Sequence, residues 1–462
     1  MPRILTANLN MSSYFRDTTL AAADRVRHLA SLPAQASLID LLSAIPKGGA
    51  IVAPIVTDVG TAVFVVKAGS QRVGPGDVVW IDEFTIETLD HILVGTPGKE
   101  DNTGWLSAYF RRKLDKRNWQ RVIVDMGSTL WRALLEPVDA RLATMALEVE
   151  AQLILLLPPG LNTLPLHSSW RNQQGRLRYA LDDYTISYCP SMTVLLHATR
   201  RLRTYEQLPM DRKPSLLIVA NPDLTLPFAD IEGHAIASLG RPPQTTLLCG
   251  KSASWPAVLA AHKKQAYIHF ACHGSYNPED PLHSYLALSS ANQYPGATGN
   301  LWLLELVAGW DCESTRLVTM SACETAITDI TTFPNEYLGL SSGWLRSGAI
   351  GVISSLWLVD DLCALLLMDR FYRLHFPVAT GLSENSPKLA PAAALRAAQL
   401  WLKGISNQAV CEQLAAFERQ DGLSDVERKL LSFRRREFAA SPLDDKPFSD
   451  PFWWAGFILA GA

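Results

Sequence analysis

Five apolar runs in the second half of the chain, separated by amphipathic stretches, constrain the fold more than any other feature. They occupy residues 216–220, 246–248, 267–271, 316–320 and 350–354. Each is short enough for a strand, and their near-continuous hydrophobicity suits strands covered on both faces. The stretches near 229–239, 255–263, 303–308, 335–346 and 361–374 read as helices. Strand–helix alternation of this kind predicts an α/β fold with a mostly parallel sheet flanked by helices.

The first half is less regular. Residues 18–44 read as a helix with Leu20, Val26, Leu29 and Leu32 on one face, ended by Pro46-Lys-Gly-Gly49. A hairpin follows, 50–56 and 62–66, with its turn at Asp58-Val-Gly60. A strand is predicted at 78–81, then amphipathic helices between 85 and 143, and a buried strand at 152–157 stopped by Pro158-Pro-Gly160. A short strand at 186–188 is stopped by Pro190, and Ser191 caps the helix after it. The polar, proline-bearing stretch 206–214 marks a boundary. The expected organisation is an N-terminal helical segment (1–45), a first module (46–210) and a second (211–462), the last with a helical stretch at 391–437 and an apolar closing segment at 451–459.

Composition narrows the function classes. With 462 residues, 48% hydrophobic and 19% charged, the chain is an ordinary globular protein able to bury a large core. A formal net charge of −3 argues against direct nucleic-acid or anionic-membrane binding, and the basic clusters at 111–113, 200–203 and 434–436 read as solvated helix faces. No apolar run reaches the length of a membrane span, and residues 1–18 lack the apolar core of a signal peptide. The 7 cysteines include no C-x-x-C pair. Cys189, Cys249, Cys272, Cys312 and Cys363 lie in apolar surroundings, which fits a reducing, cytoplasmic compartment. The histidines show no metal-ligand spacing, and no cofactor is implied.

Two of the apolar runs end at reactive side chains. One is Tyr267-Ile-His-Phe-Ala-Cys-His273-Gly274; the other is Leu317-Val-Thr-Met-Ser-Ala-Cys323-Glu324. Adjacent parallel strands would bring these ends together at the carboxyl edge of the sheet, where α/β folds build their sites. A thiol attacks only as the thiolate and so needs a base, and an imidazole can both take its proton and return one to a leaving amine. His273 is therefore the candidate base and Cys323 the candidate nucleophile, with the backbone N–H groups of Gly274 and Cys323 as candidate oxyanion donors. Cys272, one position earlier, points to the opposite face and reads as packing. Taken singly, a cysteine after an apolar run reads as core and a His-Gly as a turn.

Phe270-Ala-Cys-His-Gly274, Ser321-Ala-Cys-Glu-Thr325 and Val352-Ile-Ser-Ser-Leu-Trp357 together resemble the CHAT protease domain, a relative of caspases, gingipains and separase. Pro159-Gly-Leu161 with Leu164-Pro-Leu166, Tyr188-Cys-Pro-Ser-Met192 and Phe452-Trp-Trp-Ala-Gly-Phe457 extend the likeness over residues 45–462. The roughly fifty-residue His–Cys spacing is also that of caspases. The resemblance implies a caspase-like fold with a His273–Cys323 dyad and a protein substrate. It makes 46–210 a degenerate caspase-like module without a dyad, and it implies a role in bacterial defence or cell death. It further implies an aspartate after the Leu-Trp motif that lines a pocket for a basic P1 side chain. The first acid of the family's segment is replaced by Leu358, so Asp361 is the best match and Asp360 the second; either could instead cap the next helix. The chain lacks the family's tetratricopeptide repeats, so control by a regulatory protein partner or by processing is expected.

Two other readings stay open. One is a non-catalytic caspase-like scaffold. The other is a serine hydrolase at Ser341, in Gly339-Leu-Ser-Ser-Gly343, which matches G-x-S-x-G without the strand that a nucleophile elbow requires before it. Gly250-Lys-Ser252 lacks the first glycine of a phosphate loop.

Overall fold

The computed structural model describes residues 36–95, 103–209, 215–240, 242, 244–277, 280–290, 299–322, 339–376 and 388–462. In chain order the strands are β1 (Ala50–Thr57), β2 (Gly60–Lys67), β3 (Val78–Ile81), β4 (Gln152–Leu155), β5 (Trp170–Gln173), β6 (Arg176–Tyr179), β7 (Thr185–Tyr188) and β8 (Ser215–Ala220). They continue with β9 (Gln244–Cys249), β10 (Tyr267–Ala271), β11 (Gly274–Ser275), β12 (Tyr285–Ala287), β13 (Asn300–Trp302), β14 (Leu317–Ser321), β15 (Gly351–Ser355) and β16 (Phe457–Gly461).

Among the described residues, eleven of these strands form one sheet in the order β3-β2-β1-β4-β7-β16-β15-β14-β10-β8-β9. The strands from 46–210 and those from 211–462 meet at the parallel pairing of β7 with β16. From β15 through β14, β10 and β8 to β9 every pairing is parallel, as the strand–helix alternation predicts. β16 is the exception: the closing segment turns back and runs antiparallel to β15 in the middle of the sheet. Phe457–Gly461 is buried throughout, so its hydrophobicity is that of a central strand.

All five predicted strands of the second half are present. The one expected at 246–248 is longer, Gln244–Cys249. The stretch 391–437 is three helices, Pro391–Gly404, Asn407–Glu418 and Asp425–Ala439. The breaks fall where Ser406 and Ser424 cap new helices by accepting from Ala409 N and Glu427 N. Ser191 likewise caps the helix Met192–Glu206. The helix expected at 18–44 lies mostly outside the described residues, which hold Leu38–Leu42 of it. Two small sheets escape the sequence pattern, β5-β6 and β11-β12-β13; their strands are too short for alternation to register.

Two packing features place the site. The helices Pro227–Ser238 and Asp361–His375 pack on each other beneath the sheet. Gly233 lets the first of them lie close to β8, since a Cβ there would come within 2.8 Å of Ala220 Cβ. At the other end of this layer Trp357 is fully buried. Its ring meets Trp105 at 6.0 Å and Trp119 at 6.3 Å, both edge-on, and its Nε1 donates to Phe452 O. The Leu-Trp motif after β15 thus anchors helices of the first half to the second, and burying each such ring contributes about 2–3 kcal/mol.

Candidate active site

The pairing of β10 with β14 sets Ala271 level with Ser321. Both strands end there, two residues before His273 and two before Cys323. Cys323 and Glu324 lie outside the described residues. Ala322, just ahead of them, is fixed by Ser355 at the end of β15, whose hydroxyl donates to Ala322 O at 2.6 Å.

His273 leaves the sheet with its side chain 45% exposed. Its Nε2 lies 2.8 Å from Thr225 Oγ1 and 3.7 Å from Asp223 Oδ2. Thr225 Oγ1 in turn donates to Asp223 Oδ1 at 2.9 Å. Because the hydroxyl proton is engaged there, the threonine oxygen accepts from imidazole Nε2–H, which leaves Nδ1 as the basic nitrogen. Among the described residues Nδ1 has no hydrogen-bond partner.

The loop carrying Asp223 and Thr225 is anchored by Asn221. Asn221, buried and in the left-handed region at φ 44°, donates from its N–H to Ala271 O at 2.8 Å. Its side-chain oxygen accepts from Leu226 N, and its amide donates to Asp230 at 2.6 Å. Asparagine tolerates this backbone conformation better than other non-glycine residues. Sequence reasoning missed Asp223 and Thr225. The usable signal was their place directly after β8, at the same carboxyl edge as His273.

Gly274 opens β11, opposite Leu286 of β12. Ala287 N–H donates to His273 O at 2.8 Å, which makes Gly274–Leu286 a non-hydrogen-bonded pair and turns the Gly274 N–H away from β12.

The two predicted acids part company. Asp360 is the N-cap of Asp361–His375 and accepts from Leu362 N at 3.1 Å and Cys363 N at 3.3 Å. Asp361 instead lines a cavity of ≈ 20 Å³ together with Glu232, Ser321 and Ala322. Burial, and then the charges of Asp360 and Glu232, push the Asp361 carboxyl up to about 6, while His273 pulls it down. Sequence reasoning also missed Glu232. It sits on the helix Pro227–Ser238, 2% exposed, with Oε1 2.9 Å from His269 Nε2.

Other thiols and hydroxyls are poorly placed for chemistry. Burial pushes the thiols of Cys189, Cys249 and Cys312 up to about 12, and that of Cys363 well above its ordinary value. A thiol so raised carries almost no thiolate at neutral pH. Ser341 is buried, and its hydroxyl donates to Ser354 Oγ at 2.8 Å. His375, downstream of Ser341 in the chain, has its ring nitrogens on Leu389 O and Tyr267 OH. Among the described residues no group of three or more His, Cys, Asp or Glu converges to hold a metal, and no helix is long and apolar enough to cross a membrane.

The family model of the CHAT domain matches residues 124–462. No curated protein matches the sequence. Similar solved structures include the Saccharomyces cerevisiae separase–securin complex, at 14% identity and a TM-score of 0.41, covering 85% of this chain and 21% of that one. The complex of the pro- and mature domains of Porphyromonas gingivalis RgpB is similar at 10% identity and a TM-score of 0.37, covering 76% of this chain and 70% of that one. The Arg-specific cysteine proteinase gingipain R is similar at 10% identity and a TM-score of 0.37, covering 74% and 67%. The chain spans about a fifth of the length of the separase chain.

Proposed function

The chain belongs to the CHAT-domain family, and from that premise we propose that it is a cysteine endopeptidase whose dyad is His273 and Cys323. The observation that carries this reading is the parallel register of β10 and β14, level at Ala271 and Ser321 two residues before each member of the dyad. In the proposed cycle Asp223 holds the Thr225 hydroxyl, Thr225 holds Nε2–H, and Nδ1 takes the thiol proton. The thiolate attacks the scissile carbonyl carbon, and a carbon–sulfur bond forms as the carbonyl oxygen becomes an oxyanion. The N–H groups of Gly274 and Cys323 stabilise that oxygen, each worth about 10²–10³ in rate. The imidazolium then protonates the departing amine as the carbon–nitrogen bond breaks. Water, deprotonated by His273, hydrolyses the thioester and releases the free enzyme.

In this reading Asp361 supplies the negative charge of a P1 pocket for a basic side chain, and Asp360 shapes the pocket by capping the helix that carries Asp361. Residues 46–210 serve as a supporting module without a dyad of their own. A regulatory partner or a processing event switches the enzyme on, a reading that rests on the family resemblance. The role in bacterial defence or cell death rests on the family resemblance alone.

Proteolysis of a mixed peptide library by the full chain, compared with Cys323→Ala, tests the core of the proposal. Cleavage lost in the variant and concentrated after Arg or Lys is the expected result. Cleavage that survives Cys323→Ala would end the dyad reading, preference for Asp or Leu would end the basic-P1 reading, and full activity of the isolated chain would end the proposed control.

A further inference from the structure

Among the described residues one end of the large sheet is left open. β3 is its last strand and pairs with β2 alone. The hydrogen-bond phase across the hairpin fixes which groups of β3 are free. Ala68 N–H donates to Gly49 O, so the even-numbered residues of β2 bond to β1 and the odd-numbered ones turn to β3. Val79 and Ile81, opposite Val63 and Thr61, take those bonds. Val78 N–H folds back onto Pro75 O, which leaves Val78 C=O and both main-chain groups of Trp80 pointing away from the sheet. Natural sheets blunt such an edge with charges, prolines or bulges. Val78-Val-Trp-Ile81 holds none of these, and its register with β2 is unbroken.

The face beside this edge is apolar. Trp80 lies in register with Ala62 of β2 and, through it, with Ile55 of β1; Trp80 is 50% exposed and Ile55 54%. The indole is pinned. Its Nε1 donates to Asp82 Oδ1 at 2.6 Å, and its ring lies on Gly60, where a Cβ would come within 2.8 Å of Cζ2. A ring already fixed loses little freedom when a ligand covers it. Acids surround the same corner: Asp58 in the hairpin turn, Asp82 and Glu83 directly after β3, and Glu87 in the first turn of the helix Ile86–Val94, all exposed. Asp77, at the other end of β3, is paired with Arg141 at 3.6 Å, but residues 73–95 contain no lysine or arginine.

We propose that β3 is a docking edge at which a basic, extended segment of a partner protein adds to the sheet as a further strand. The segment's main chain donates to Val78 O and Trp80 O and accepts from Trp80 N–H. One of its apolar side chains covers the indole, and a lysine or arginine at its end meets Asp82 and Glu83. Charge decides the occupant. A second copy pairing here about a two-fold axis would bring the same acids of both chains together, and like charges across a strand pair are unfavourable. A cationic strand relieves the repulsion that the acids already exert on one another. The inference does not depend on the dyad. β14 is seven strand spacings from β3 in the sheet, about 30 Å, so a partner held at β3 leaves the dyad's edge uncovered.

The test uses the full-length Cys323→Ala chain, so that proteolysis by the proposed dyad does not intervene. The probe is the fluorescein-labelled peptide amide Lys-Lys-Val-Thr-Val-Thr-Val, followed by anisotropy at pH 7.5 and low salt. One control carries glutamate for both lysines. A second carries Pro-Pro for the central Val-Thr; it keeps the charge but cannot form the ladder. The lysine peptide binds at least about tenfold more tightly than either control. Trp80→Lys, at a half-exposed position, lowers its affinity by at least about tenfold. Glu83→Lys combined with Glu87→Lys leaves the strand itself untouched, inverts the preference between the lysine and glutamate peptides, and carries the test should Trp80→Lys fail to fold. No binding of the lysine peptide, equal binding of either control, or an affinity that neither variant changes overturns the proposal. So does a dimer in sedimentation velocity that Trp80→Lys dissociates, which assigns the edge to a second copy. Binding that appears only once residues 1–35 are removed assigns the edge to this chain's own residues and overturns it as well.

Discussion

The two halves of the sheet each carry a histidine and a cysteine near strand ends, in opposite settings. In the first half Cys189 directly follows β7, and His167 lies in the connection after β4. His167 is 2% exposed, with Nδ1 2.8 Å from Tyr188 OH and Nε2 3.0 Å from Ala455 O. Cys189 is equally buried, its Sγ donating to Ser191 O and its thiol pushed up to about 12. In the second half His273 is 45% exposed, one ring nitrogen is held by Thr225 and the other is open among the described residues. The same residue types can fasten a core or do chemistry. What separates them is access to water and whether the imidazole retains an uncommitted nitrogen.

The sharpest test of that contrast is a pair of cysteine substitutions. Cys323→Ala should abolish peptide hydrolysis, a loss of at least about 10³-fold, while Cys189→Ala should leave kcat/KM unchanged and register only in the melting temperature. Should Cys189→Ala remove activity without lowering Tm, the division into supporting and catalytic halves would fail. His167→Ala comes next. It removes the ring's contacts with Tyr188 OH and Ala455 O in the core and should cost about 3 kcal/mol in denaturant unfolding, because it cuts a link between the first half and the closing segment.

Weakening the relay behind His273 should have a smaller, purely kinetic effect. Thr225→Ala or Asp223→Asn should lower kcat by about tenfold to hundredfold with little change in KM or Tm. Both residues are exposed, which limits how strongly they orient the ring. An unchanged kcat would show that the imidazole is positioned without them.

The buried histidines of both halves and Asp361 should answer acid differently. Burial holds His167 down to about 4 and His375 to about 3, whereas a histidine in the unfolded chain titrates near 6.5. Between these values the unfolded state binds more protons, so stability is complete above pH ~6.5 and falls as pH drops toward 4, by about 3 kcal/mol for His167. His167→Gln should flatten that part of the unfolding profile. Asp361 reads out in activity instead. As pH falls through about 6 its carboxylate takes up a proton, so kcat/KM for a P1-arginine peptide should decline there while that for a P1-citrulline peptide does not follow.

Much of this molecule is legible in the sequence. The strand runs of the second half, the hairpin of β1 and β2, the cap at Ser191 and the two reactive strand ends all follow from local patterns, because burial on one face or two imposes a period on the residues that supply it. Asp223, Thr225 and Glu232 are not legible there. They come from a loop and a helix that reach His273 and Asp361 only because β8 pairs with β10 and because Gly233 lets the helix Pro227–Ser238 approach the sheet. The closing segment shows the same limit: its hydrophobicity announces burial, but not an antiparallel strand in the middle of the sheet.

The amino-acid order by itself therefore determined which segments are strands and helices and which side chains are candidates for the chemistry, since those properties depend on neighbours a few positions away. Only the tertiary structure decided which histidine keeps a free nitrogen, which acid caps a helix and which lines a cavity, and where the last strand inserts. Those outcomes depend on strand order and layer packing between residues that are far apart in the chain, and on the burial that this packing creates.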